Sequence, residues 1–165
     1  MFRPCLVVLA LVAGAAGCRI EDRTPRGSRR DDEALHYLIL QYARRLSERD
    51  WHGVRALFWR EATYAGAMGP VVLRQFRLAV PVDSALSALA RSLDGVPVER
   101  YGVWVLRTDL RQEGDLAAAW VIVRRRTPVG DTAVERDWIE HLVFRQIGGE
   151  WRLLSVVATR WPRRR

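Results

Sequence analysis

Lysine is absent from the 165 residues, so all 27 basic side chains are arginine. That bias reads as the codon choice of a GC-rich genome rather than as selection for a ligand. Cysteine is scarce: Cys5 and Cys18 both fall in the first eighteen residues, which excludes a disulfide within the remainder. The three histidines, His36, His52 and His141, are dispersed and form no His-Glu-x-x-His pattern, so no metal site is expected. There is no Gly-rich phosphate loop, no cysteine pair and no nucleophile elbow, and no cofactor is expected. The longest opening apolar run, Cys5 to Ala13, is too short to span a bilayer.

That short run has a different use. Arg3 gives a basic start, Cys5 to Ala13 an apolar centre, and Ala15, Ala16 and Gly17 a small-residue ending directly before Cys18, which is the layout of a cleaved export leader. The ending resembles the lipobox of bacterial lipoproteins, whose cysteine receives a diacylglyceryl group and becomes the new N-terminus. Ala15 stands where that motif usually has Leu, and cleavage by the ordinary signal peptidase near Cys18 is the alternative. The expectation is a signal peptide over 1–17, lipidated Cys18 with a flexible tether over 18–30, and one domain over 31–165. Arg19 after the cysteine is not the Asp that marks inner-membrane retention in enteric bacteria, so the expected location is the periplasmic side of an outer membrane where the host has one.

Removal of Arg3 with the leader leaves 26 arginines against 19 acidic residues, a charge of +7. Such a field favours anionic surfaces. The arginines are scattered and belong to no nucleic-acid-binding module, so nucleic acid is not the expected partner. The Arg163 to Arg165 tail beside Trp161 could touch acidic headgroups, although a terminal charge run is commonly just solvated.

From Asp32 to Arg49, Leu35, Leu38, Ile39, Tyr42 and Leu46 recur three or four apart and predict an amphipathic helix. Asp50 then caps a short helix burying Val54, Leu57 and Phe58, and Ala62 to Ala65 reads as a strand. Gly66, Gly69 and Pro70 punctuate a stretch over 66–82 that periodicity does not assign. A third helix carries Ala85, Leu86, Leu89, Ala90 and Leu93, capped by Asp83 or Ser84 and closed by Gly95 and Pro97.

The period then changes. Arg100 to Leu110, Leu116 to Arg126, Ala133 to Ile147 and Trp151 to Trp161 are rich in Val, Ile, Trp and Tyr and read as strands. Their short connections predict sequential antiparallel pairing. Helices followed by such a sheet make an α+β domain, three N-terminal helices packed on a curved, mostly antiparallel sheet. In the last strand both alternating sets are partly apolar, Trp151, Leu153 and Val157 against Leu154, Val156 and Ala158, which suggests a homodimer through the outer face. An edge strand or tail covering that surface is the alternative.

Two groups of residues resemble the nuclear transport factor 2-like superfamily, particularly its branch of SnoaL-like polyketide cyclases and ketosteroid isomerases. The first is Tyr42-Ala43, Leu46-Ser47, Asp50-Trp51, Gly53-Val54, Ala56-Leu57-Phe58 and Ala62-Thr63-Tyr64; the second is Ile139-Glu140-His141, Phe144-Arg145 and Gly148-Gly149-Glu150-Trp151-Arg152. The resemblance covers nearly all of 31–165 and implies a cone, a bent sheet around helices with an apolar pocket at the wide end. It also implies that Tyr42 and a neutral Glu140 match the isomerases' oxyanion donors, the weak catalytic candidates of this chain. A buried, protonated carboxylic acid can donate in that way. The proton-moving aspartate has no counterpart, because Gly66 stands at its place and no acidic residue lies between Glu61 and Asp83.

Tyr42, Tyr64, Trp104, Trp120, Trp138 and Glu140 are the expected pocket residues. Tyr42 could equally be an ordinary core tyrosine, Glu140 could pair with an arginine of a neighbouring strand, and the tryptophans could simply fill the core. His141 follows Glu140 and points to the opposite face of a regular strand. The functional expectation is a membrane-anchored binding domain for a small apolar or amphipathic molecule or a protein partner. An isomerase, dehydratase or cyclase, and a structural accessory domain of an envelope complex, are the alternatives.

Overall fold

The computed structural model describes residues 29–67 and 79–161, and the side chains from Asp31 onward. The expected leader, the lipidated cysteine, most of the tether, the greater part of the unassigned 66–82 stretch and the Arg163 to Arg165 tail lie outside the described residues. No described helix is long and apolar enough to cross a membrane.

The helix α1 spans Arg29–Glu48, beginning two residues before the expected domain boundary. Its 20 residues run about 30 Å. Leu35, Leu38, Ile39, Tyr42, Ala43 and Leu46 form its buried face, as the 3.6-residue period requires. Asp31 ties the first turn to the sheet, accepting from the Trp151 indole at 3.5 Å and the Gln112 amide at 3.5 Å. At the other end Arg49 takes a left-handed conformation, φ 58°, unusual for a side chain larger than Gly. Its guanidinium donates to the carbonyls of Leu93, Val96 and Pro97, locking the turn onto the loop after the third helix.

The helix α2 covers Trp51–Ala56 and is capped as its sequence predicts, Asp50 accepting from the Gly53 N–H at 2.8 Å. A Cβ at Gly53 would lie 1.9 Å from the Asp50 carboxylate, so the cap and the glycine require each other. Strand β1 runs Phe58–Gly66, longer than expected at both ends, and β2 is the pair Val80–Pro81. Helix α3, Val82–Ser92, is capped by Pro81 and not by Asp83 or Ser84, and no side-chain cap bond is made. Asp83 lies inside the first turn, where its charge suits the helix dipole and it pairs with Arg55 at 2.5 Å.

A short 3-10 turn, Val98–Arg100, leads into β3 (Gly102–Glu113), β4 (Leu116–Val129), β5 (Thr132–Ile147) and β6 (Glu150–Arg160). The sheet order is β2-β1-β6-β5-β4-β3. The last four strands pair sequentially and antiparallel, while β1 lies parallel to β6, which the alternation pattern does not reveal. Apart from β1 and β2, which lie between the second and third helices, the helices precede the sheet.

The apolar residues on both parities of β6 have a local cause. Phe144 pairs with Leu153 and Leu142 with Val156, so one extra residue sits in β6 between them. This bulge switches the strand's inward parity. Trp151 and Leu153 before it, and Val156 and Ala158 after it, therefore all enter the core. Of the six residues in the two sets only Val157 is largely exposed, and the two-faced pattern of β6 no longer requires an apolar outer surface.

Candidate functional site: a buried polar centre

Polar side chains gather where the apolar face of α1 meets the inner face of β4 and β5. Tyr42 reaches down from α1, Tyr64 comes from β1, and Tyr101 enters just before β3; all three are buried. Along β4 the inward set is Ala117, Ala119, Val121, Val123 and then Arg125. On β5 it includes Phe144, Leu142, Glu140 and Trp138, because the β4–β5 register sets Val121 opposite Glu140 and Val123 opposite Trp138. An arginine and a glutamate thus occupy positions whose neighbours are all core residues.

Arg125 and Glu140 are 1 % and 0 % exposed and form an ion pair. The guanidinium also donates to the Ala67 carbonyl at 2.7 Å and to the Tyr64 hydroxyl at 3.2 Å, and its Cζ lies 5.2 Å from the centre of the Trp138 ring. The Tyr64 hydroxyl in turn donates to the Ala67 carbonyl at 3.2 Å. Burial draws the Arg125 value down, but Tyr64, Glu140, Tyr42 and Tyr101 outweigh it and raise it well above the ordinary level, so the guanidinium stays cationic. Glu140, expected as a neutral donor to an oxyanion, instead pairs with an arginine of the neighbouring strand, the alternative that the sequence left open.

The hydroxyls are donors at any physiological pH. Burial, aided by the Glu140 charge, raises Tyr42 well above the ordinary value of 10.0 and overrides the opposing pull of Arg125. Burial raises Tyr64 to about 12 and lifts Tyr101 as well. Tyr42 packs edge-on against Phe58, ring centroids 5.9 Å apart, and its hydroxyl has no hydrogen-bond partner among the described residues. The same is true of Arg125 Nε, Trp138 Nε1 and Glu140 Oε2, all buried atoms. One ion pair and its neighbours thus leave three donors and one acceptor unmet.

Among the described residues, the only carboxyl at the centre is that of Glu140, held by Arg125. Gly66 adopts φ +95° and pairs with Ala158, where any Cβ would fall 1.9 Å from the Ala158 carbonyl oxygen. No side chain fits at the position that the resemblance gives to the isomerase base. His36 is exposed and bonds the Asp32 carbonyl, His52 is exposed, and His141 lies on the opposite face of the sheet against Trp120. Among the described residues no three His, Cys, Asp or Glu side chains gather as a metal site.

Two expected pocket residues lie elsewhere. Trp120 is 58 % exposed on the outer face, and Trp104, 43 % exposed, pairs in register with the outward Arg124. Trp104 stacks against Arg126 and lines a groove of about 460 Å³ between α1 and β3 with Leu40, Ser47 and Val105. Parity alone does not say which set of a strand faces in. On β4 the inward set is Ala117, Ala119, Val121, Val123 and Arg125, which leaves Trp120 on the outer face. Tyr42, Tyr64, Trp138 and Glu140 do meet in the interior, and Arg125, absent from the expected set, joins them. Its signal was an arginine in the inward parity of an otherwise Ala and Val strand.

No protein-family profile matches the sequence, and no curated protein sequence does. Solved structures do match. An NTF2-like protein with a cystatin-like fold from Novosphingobium aromaticivorans superposes with a TM-score of 0.65 at 17 % identity, covering 82 % of this chain and 84 % of that one. A candidate ketosteroid isomerase from Shewanella frigidimarina gives 0.61 at 13 % identity, covering 78 % and 96 %. The association domain of the C. elegans CaMKII gives 0.62 at 14 % identity, covering 79 % and 95 %. At these identities the likeness is one of fold: the chain has the nuclear transport factor 2-like architecture.

Proposed function

We propose that this chain is an envelope lipoprotein, held at a membrane by lipid on Cys18, whose domain binds a small, largely apolar molecule at the Arg125–Glu140 centre. The observation that carries the binding reading is the cluster of four unpaired buried polar atoms, Tyr42 Oη, Trp138 Nε1, Arg125 Nε and Glu140 Oε2. A buried polar atom without a partner costs about 1–3 kcal/mol, and native interiors hold few of them. Four on mutually interacting groups favour an occupant that supplies their partners. The export reading rests on the basic start, short apolar run and small residues before Cys18. Isomerase, dehydratase or cyclase chemistry is disfavoured because Gly66 stands where the isomerase base would be and the one carboxyl at the centre is held by Arg125, leaving no free group to remove the proton beside a polarised carbonyl.

The experiment expresses the full chain in a bacterial host with labelled palmitate and partitions the cells into membrane and soluble fractions. The wild type should carry label and sediment with the membrane, and Cys18→Ser should lose both. An unlabelled, soluble wild-type protein would overturn the anchor.

A second reading has its own observation. The outer sheet face bears Trp120, Ile122, Ile139, His141, Val143 and Val157, with Trp120 58 % and Val157 48 % exposed, and is bordered by the Arg124–Asp137 and Arg126–Glu135 ion pairs. An apolar centre with a charged border suits a second copy of the chain. Self-association through this face is compatible with ligand binding on the other.

A further inference from the structure

We infer that the rim of the sheet where β6 ends beside β5 is a separate anion site, in which Arg136 and Arg160 take a phosphate monoester and Trp161 covers the organic group attached to it. The site shares no residue with the Tyr42 and Glu140 centre.

Strand register brings the two arginines together. Arg160 pairs with Trp138, and Arg136 stands two residues along β5 on the same face, so their backbones are diagonal neighbours about 7–8 Å apart, within reach of one ligand. The pairing of β1 with β6 stops at Gly66 and Ala158, which leaves Arg160 and Trp161 beyond it at an open edge. A cavity of about 360 Å³ lies there, lined by Arg124, Glu135, Arg136, Asp137, Arg160 and Trp161, a size suited to a small molecule. The Trp161 N–H donates to the Asp137 carbonyl at 3.1 Å, which fixes its main chain, while the residue stays 40 % exposed.

Charge selects the ligand. Both acids of the lining are already engaged: Asp137 accepts from Arg124 at 2.9 and 3.3 Å, and Glu135 accepts from Arg126 at 3.0 and 2.6 Å. The bond from Arg124 holds the Asp137 carboxyl below its ordinary value, so it stays an anion committed to that pair. Arg136 and Arg160 make no hydrogen bond or ion pair among the described residues. Arg136 also stands directly opposite Arg125, whose counter-charge is Glu140, and like charges in that relation repel. Two unmatched cations call for about two negative charges. A phosphate monoester carries about 1.5 to 2 at pH 7 and presents three acceptor oxygens to the two guanidinium forks, whereas a carboxylate brings a single charge. The exposed indole of Trp161 then offers a flat apolar wall to whatever the phosphate is attached to.

Isothermal titration of the full chain, made with its leader and purified in neutral detergent without phosphate, tests this with phenyl phosphate, benzoate, inorganic phosphate and dihexanoylphosphatidic acid. Phenyl phosphate should bind about tenfold tighter than benzoate, and Arg136→Gln with Arg160→Gln should weaken it about tenfold or more, the size expected of lost hydrogen bonds to a charged group. Both arginines are exposed, so the double variant should melt as the wild type does. Trp161→Ala should weaken phenyl phosphate and leave inorganic phosphate unchanged. Arg163 to Arg165 are kept in every variant, so their charge does not enter the comparison. Phosphatidic acid bound about tenfold or more tighter than phenyl phosphate would identify a lipid headgroup as the source, and a smaller difference a soluble phosphate; either supports the site. Phenyl phosphate bound alike by the wild type and the double variant, benzoate bound as tightly as phenyl phosphate, or no heat with any phosphate would overturn it.

Discussion

Arg125 on β4 and Glu140 on β5 face each other inside the domain as an ion pair with almost no exposed surface. The pair is held from several sides: the Tyr64 hydroxyl and the Ala67 carbonyl each accept a hydrogen bond from the guanidinium, and the Trp138 ring lies beside it. Such a pair contributes little net stability over an apolar replacement, because desolvation offsets attraction, but breaking it strands a charge.

Arg125→Met should therefore destabilise the fold by about 3–5 kcal/mol, and Arg125→Met with Glu140→Leu should recover most of that loss. Urea denaturation of the two variants checks this. A double variant no more stable than the single one would show that the pair is not what the single substitution breaks.

The buried tyrosines set the alkaline limit. Unfolded hydroxyls ionise near 10.0, whereas Tyr64 in the folded chain is raised to about 12 and Tyr42 is raised too. The folded state thus holds more protons than the unfolded one above pH 10, so stability is complete below that point and falls as pH rises toward the folded values. Ultraviolet titration should show at most one of the four tyrosines ionised at pH 10.5 while the chain stays folded. Early ionisation of three or more without unfolding would contradict the burial.

Gly66→Asp places an acid where the isomerase base would stand. The left-handed backbone and the Ala158 carbonyl leave no room for its Cβ, so the variant should lose about 3 kcal/mol or more of stability and gain no isomerisation activity. A thermal melt unchanged from wild type would refute this.

Trp120→Glu, at the centre of the outer sheet face, should convert a self-associated species to monomer while leaving interior ligand binding intact. Sedimentation velocity of both proteins in detergent reads the change. A wild type that is monomeric at high concentration would remove the second reading.

Much of the fold was legible because it follows from period and capping. The α1 face, the Asp50 cap and four strands joined by short turns each have a local cause, and local causes are written locally. The parallel neighbourhood of β1 and β6 depends on residues about ninety positions apart, and the extra residue in β6 leaves no composition signal, so its two apolar parities looked like two faces. At the centre, Tyr42 and Glu140 follow from the family resemblance, and helix and strand periodicity permits both, with Trp138, to face inward. Trp104 and Trp120 face outward, which the sequence does not reveal, because strand alternation separates two sets of side chains without saying which one meets the core. Arg125 was missed because a chain with 27 arginines hides one that points inward.

The most direct test is a crystal structure of the full-length protein as purified from its bacterial host. The account predicts a small molecule in the interior, within hydrogen-bond distance of Tyr42 Oη, Trp138 Nε1 or Glu140 Oε2. A Tyr42 hydroxyl bonded directly to Glu140, with no molecule between them, would contradict it.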